Sequence, residues 1–103
     1  MSSTGLHVAR EKLSPETIKL HYAITSLMEE LEAADWYRQR ADDTADDSLK
    51  QVLLHNMREE IEHASMLIEW LRRNNEHFAK QLKTYLFTEG PLIEVEHKAE
   101  GKA

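Results

Sequence analysis

The sequence predicts an all-α protein, an antiparallel two-helix hairpin followed by a short third helix. Three observations predict it. Only three glycines and two prolines interrupt the 103 residues, and both prolines sit at the edges of apolar-periodic segments. Apolar residues recur at helical spacing through two long runs, with no strand-like alternation anywhere. The polar stretch "DDTADDS", Asp42 to Ser48, separates the runs, and so short a link forces the two helices antiparallel.

The first helix begins at "LSPET". Ser14 suits the cap, Pro15 the first helical position, and Glu16 the positive end of the helix dipole. Nothing breaks the pattern until about Arg40. Asp46 and Asp47 supply the cap and first turn of the second helix, which runs to about Arg73. Asn74 and Asn75 then weaken the helix, and Phe78, Leu82, Tyr85 and Leu86 resume apolar spacing in a short third one, stopped by Gly90-Pro91. The expected organisation is a flexible segment over residues 1–13, a helical domain over 14–93 and a polar, disordered tail over 94–103.

Composition narrows the function. The chain is 41% hydrophobic and 31% charged, as one small domain should be. With no cysteine there is no thiolate metal site, iron–sulfur cluster or cysteine nucleophile. A formal charge of −6 argues against nucleic acid and suits metal cations. No apolar run approaches the roughly 20 residues that span a bilayer, and the N-terminus lacks the apolar core of a signal peptide. A cytoplasmic protein without membrane contact is expected.

Both long helices carry an anomaly. In the second, Glu60 falls in line with Leu53, Leu67 and Leu71, and His63 follows on the flank of that stripe. In the first, Glu30 lies at the centre of a face shared by Ala23, Leu27, Ala34, Tyr37 and Ala41. A single glutamate on an apolar stripe usually sits at its edge and reaches water, and Glu-x-x-His alone is a weak pattern. The conjunction is more specific: two central glutamates on facing helices, an imidazole one turn away, and small residues beside them. Carboxylate oxygens and imidazole nitrogen converging from rigid elements suit hard or borderline metal ions. In ferritin-like bundles two helices each give one Glu and two others each give a Glu-x-x-His. This chain has one helix of each kind, so a homodimer of hairpins would make a four-helix bundle and complete a two-metal site.

The stretches "MEELEAADWY", "HNMREEIEHASMLIEWLRR" and "TYLFTEGP" closely resemble the encapsulated ferritins, over about Leu13 to Ile93. The resemblance implies a hairpin protomer that dimerises around a di-iron ferroxidase centre, with dimers assembled into a ring. It implies oxidation of Fe(II) by dioxygen and mineralisation of the product within an encapsulin nanocompartment, whose shell protein is then a partner. The family's ferroxidase ligands fall on Glu30, Glu60 and His63, with Glu60 bridging the irons. Its tyrosine near the centre matches Tyr37, and its outer metal site matches Glu29, Glu32 and Trp36. By spacing alone that last trio reads equally as a solvated acidic face with an exposed tryptophan. Family members usually carry a C-terminal extension with a short peptide that docks on the shell interior. No such motif occurs through Ala103, so loading into a shell rests on the resemblance.

Two other readings use the same residues. In one, Glu30, Glu60 and His63 are polar specificity devices in a non-catalytic dimerisation module. In the other, they hold redox-inert zinc.

Overall fold

The computed structural model describes residues 5–101. Among them are four α-helices, α1 (Pro15–Asp43), α2 (Asp47–Asn74), α3 (Glu76–Tyr85) and α4 (Leu92–Ala99), with a single 3-10 turn at Arg10–Lys12 and no strand. The all-α expectation holds, and the two long helices form a hairpin. The chain divides into two compact units, Met1–Glu69 and Trp70–Ala103. The boundary falls inside α2, so the expected single domain over 14–93 spans parts of both. No helix among the described residues is long and apolar enough to cross a membrane.

The first unit holds α1 and most of α2. Ser14 caps α1 as its position implies: its hydroxyl accepts from the Thr17 N–H at 3.1 Å, and Pro15 opens the helix. The helix then runs three residues past Arg40. Asp42 is held in the last turn by Arg38, 3.6 Å away at the i,i+4 spacing, which offsets the unfavourable placement of a carboxylate at a helix C-terminus. Extended backbone at Thr44 ends the helix, with the Thr44 N–H donating to the Arg40 carbonyl. The link is therefore three residues long, shorter than the seven-residue segment read from the sequence. Asp46 starts α2: its carboxylate accepts from the Leu49 N–H at 3.1 Å and from the Ser48 hydroxyl at 2.8 Å. Those two donors hold the Asp46 carboxyl below its ordinary range.

The segment expected to be flexible, 1–13, is partly outside the described residues. In its described part Arg10 donates to the Tyr22 hydroxyl of α1 at 2.9 Å, its guanidinium 6.0 Å from the ring centre.

In the second unit Asn75 ends one helix and caps the next. Its side-chain oxygen accepts from the backbone N–H groups of His77 at 3.0 Å and Phe78 at 2.9 Å. Asn75→Ala should lower unfolding stability by about 1 kcal/mol, the usual worth of such a cap; a chemical denaturation midpoint identical to wild type would show that α3 needs no cap. After α3 the backbone takes left-handed conformations at Phe87 (φ 63°) and Gly90 (φ 88°). Pro91 then opens α4, its carbonyl accepting from Glu94 and Val95. α4 takes up part of the stretch 94–103 that composition marks as a polar tail; Pro91 supplies its start signal and α4 packs against α3, while residues 102–103 lie outside the described ones.

Among the described residues of the first unit only small side chains pack fully: Ala23, Ala41 and Ala64 are the buried apolar ones. The apolar residues of α1 are spread around the helix rather than confined to one stripe, and Met28 and Leu31, on the side away from Glu30, are exposed. On α2, Val52, Ile61 and Met66 are exposed as well.

Candidate metal centre

The hairpin brings together the three residues that break its apolar stripes. One oxygen or nitrogen from each of Glu30, Glu60 and His63 lies within 4.8 Å of the others. His63 Nδ1 stands 3.5 Å from Glu30 Oε2 and 3.5 Å from Glu60 Oε1. Helix geometry accounts for the arrangement. Glu60 and His63 are three residues apart on α2 and share a face. Glu30 comes from the middle of α1, on the stripe that carries buried Ala23 and Ala41. One turn beyond each glutamate stands an alanine, half-buried Ala34 on α1 and buried Ala64 on α2, so no bulky side chain fills the space between the helices there.

The electrostatics are those of two crowded carboxyl groups beside an imidazole. Glu30 Oε2 is buried and accepts no hydrogen bond, a costly condition for a carboxylate oxygen. The Glu60 carboxyl is pushed above its ordinary range. The largest cause is the neighbouring Glu30 carboxyl, to which a protonated Glu60 could donate, followed by burial and the negative charge of Glu30, with His63 pulling the other way. Two carboxylates and one imidazole, none a thiolate, form a donor set suited to iron, manganese or zinc. The orphaned oxygen and this donor set fit a metal ion.

Of the remaining sequence candidates, Glu29 and Glu32 are not members of this cluster. Tyr37 is half-buried on the Glu30 stripe. Glu29 is exposed, Glu32 half-buried and Trp36 45% exposed, and among the described residues only Glu30, Glu60 and His63 converge as a metal-ligating group. Sequence reading passed over Arg40, whose guanidinium lies 5.7 Å from the Trp36 ring centre and 6.0 Å from that of Tyr37. The spacing W-Y-x-x-R, which puts Arg one turn beyond both rings, was the signal that could have found it.

Comparison with known proteins places the chain in a family. A family model described as EncFtn-like matches residues 5–89. The encapsulated ferritin-like protein of Rhodospirillum rubrum is 54% identical over 95 residues, covering 92% of this chain and 68% of that protein. The ferritin-like protein of Thermotoga maritima is 49% identical over 79 residues, covering 77% of this chain and 69% of that one. A crystal structure of a protein from Nitrosomonas europaea superposes with a TM-score of 0.82 at 51% identity, covering 85% of this chain and 97% of that chain. The resemblance carried by the three quoted stretches therefore holds, and the chain belongs to the EncFtn-like family of encapsulated ferritin-like proteins.

Proposed function

We propose that the chain is a ferroxidase, oxidising Fe(II) to Fe(III) with dioxygen at a di-iron centre assembled from two chains. The observation that carries this reading is the convergence of Glu30, Glu60 and His63 around a buried carboxylate oxygen with no hydrogen bond. One protomer offers three ligand side chains, half of a two-metal set of the bundle type. A twofold-related copy would supply the other half, so that Glu30, Glu60 and His63 of both chains together would hold two irons. Exposed Met28, Leu31, Val52 and Ile61 leave apolar surface for further contacts between chains, away from the face that carries Glu30. Rings of such dimers, loaded into an encapsulin compartment in the cytoplasm for iron storage or detoxification, are the assembly we infer from family membership.

Bound iron would supply the redox chemistry, each Fe(II) giving one electron to dioxygen. The residues set the conditions. Anionic carboxylate oxygens favour the higher charge of Fe(III). A ligand atom must present a free electron pair, so protons compete with the metal for Glu30, Glu60 and His63. Glu29 and Glu32 would raise the local concentration of cations near an outer site that includes Trp36.

Mixing the protein anaerobically with Fe(II) and then admitting oxygen tests the reading. Ferric absorbance should rise together with oxygen consumption. Binding of Fe(II) with neither change would favour the zinc reading or a non-catalytic bundle. If the outer residues govern metal arrival, Glu32→Ala should slow oxidation severalfold at low Fe(II) and converge on wild type at saturation. Loss of Fe(II) binding at the central site in that variant would show that the two groups of residues are wrongly divided.

A further inference from the structure

We infer that Arg40 is a positioning residue that braces Trp36 and Tyr37 together, and so ties the outer face of α1 to the stripe that carries the metal centre. The inference rests on the ferroxidase reading for its consequence but on geometry for its substance. At 100° per residue, Arg40 lies about 40° round the helix from Trp36 and about 60° from Tyr37 on the other side. It therefore stands in the sector between the two rings. The structure places its guanidinium 5.7 Å from one ring centre and 6.0 Å from the other, inside the range of cation–π attraction for both. The rings belong to different environments: Trp36 is 45% exposed and Tyr37 half-buried.

The neighbours of Arg40 are otherwise engaged. Arg38 pairs with Asp42 at 3.6 Å, and Gln39 donates to Asp35 at 3.0 Å. Arg40 has no carboxylate partner among the described residues, so its planar cation remains for the aromatic faces. An open groove of about 270 Å³ is lined by Trp36, Gln39 and Arg40, and the brace forms one wall of it. Helix continuity links this wall to the ligands. Trp36 is one turn beyond Glu32 on the acidic face, while Tyr37 is two turns beyond Glu30 on the ligand stripe. If Trp36 moves, Arg40 transmits the change to Tyr37 without passing through a ligand.

The positive charge alone would do something different. A cation at the end of the acidic face repels Fe(II), so its removal should improve capture. Bracing instead predicts a loss in turnover. The kinetic split between the two is therefore the readout.

The test compares Arg40→Met, which keeps the aliphatic stem, with Arg40→Lys, which keeps a cation able to sit over a ring. Both are made in a Trp70→Phe background so that Trp36 is the only fluorophore of its kind. In metal-free protein, Arg40→Met should alter the near-ultraviolet circular dichroism and raise acrylamide quenching of Trp36 about two- to fivefold, while Arg40→Lys restores most of the wild-type signal. In Fe(II) oxidation, Arg40→Met should lower kcat severalfold with KM unchanged or raised, and Arg40→Lys should recover it. Wild-type spectra and quenching in Arg40→Met would overturn the brace. So would a lowered KM with unchanged kcat, which leaves Arg40 as a repelling charge only. Should the parent protein fail to oxidise iron, the ferroxidase reading falls, and the metal-free spectra still decide the brace.

Discussion

Replacing His63 or Glu60 with alanine is expected to cut rapid ferrous oxidation by about 100-fold or more while leaving the helices intact. Residues that merely orient metal ligands already cost roughly 10- to 100-fold when removed, and these two would be ligands themselves. In a twofold centre each substitution removes two donors, one from each chain. The helices should survive because neither side chain carries the packing. Both are half-buried, and the fully buried contacts of the first unit come from Ala23, Ala41 and Ala64. Alanine is also the better helix former. Oxidation followed by absorbance after anaerobic loading, with far-ultraviolet circular dichroism on the same samples, gives both answers. Rates equal to wild type in both variants would remove Glu60 and His63 from the ligand set. Slow rates with lost helicity would mean the residues are structural first.

The second large effect concerns metal-free protein. Carboxyl oxygens of Glu30 and Glu60 within 4.8 Å of each other repel, when both ionised, by about 3 kcal/mol at an effective dielectric near 20, and a partner chain would bring two more. Glu60 responds by holding its proton to a higher pH than usual. The sign of the linkage follows: proton uptake stabilises the metal-free fold below the ordinary carboxylate range, and that contribution fades as pH rises through the elevated Glu60 value. Glu60→Gln should therefore raise the melting temperature of metal-free protein near neutral pH. A divalent ion reverses the balance. At 100 times its dissociation constant it stabilises wild type by about 2.7 kcal/mol, which is 10 °C or more in a domain of this size, and should drive smaller species into the closed assembly. Glu60→Gln and Glu30→Ala should both blunt that response. Native mass and thermal unfolding across a metal titration measure it. An assembly whose mass and melting temperature ignore metal would show that helix packing alone builds it.

Much of this was legible in the sequence because the physics was local. Ser14-Pro15 and Asp46 are start signals that work through their own side chains, and both helices begin where those residues say. Glu30, Glu60 and His63 stood out because ionisable groups interrupt apolar stripes, a pattern that survives without any knowledge of the partner helix. The rest depended on balances that a sequence does not display. Asp42 and Asp43 look like loop residues, yet α1 continues through them, with only an exposed Arg38–Asp42 pair at 3.6 Å as local support. The polar character of "HKAEGKA" hid a helix that starts upstream, at Leu92. The bracing of two rings by Arg40 depends on side-chain rotamers, which spacing permits but does not dictate.

The three-residue link between the long helices acts as a ruler. Glu30 stands 13 positions before Asp43, where α1 ends, and Glu60 stands 13 positions after Asp47, where α2 begins. Each glutamate is thus about 20 Å of helix from the bend, and they meet because the two arms are measured off equally from one origin. Lengthening one arm by a single turn would slide one glutamate about 6 Å past the other and dissolve the cluster with every ligand still present. Lengthening both arms by the same whole number of turns would carry the pair outward, still facing, whereas one added residue in each would turn both glutamates about 100° off the shared face. Between the bend and the glutamates, sequence change must therefore respect both a difference of lengths and the helical period, rather than a set of positions.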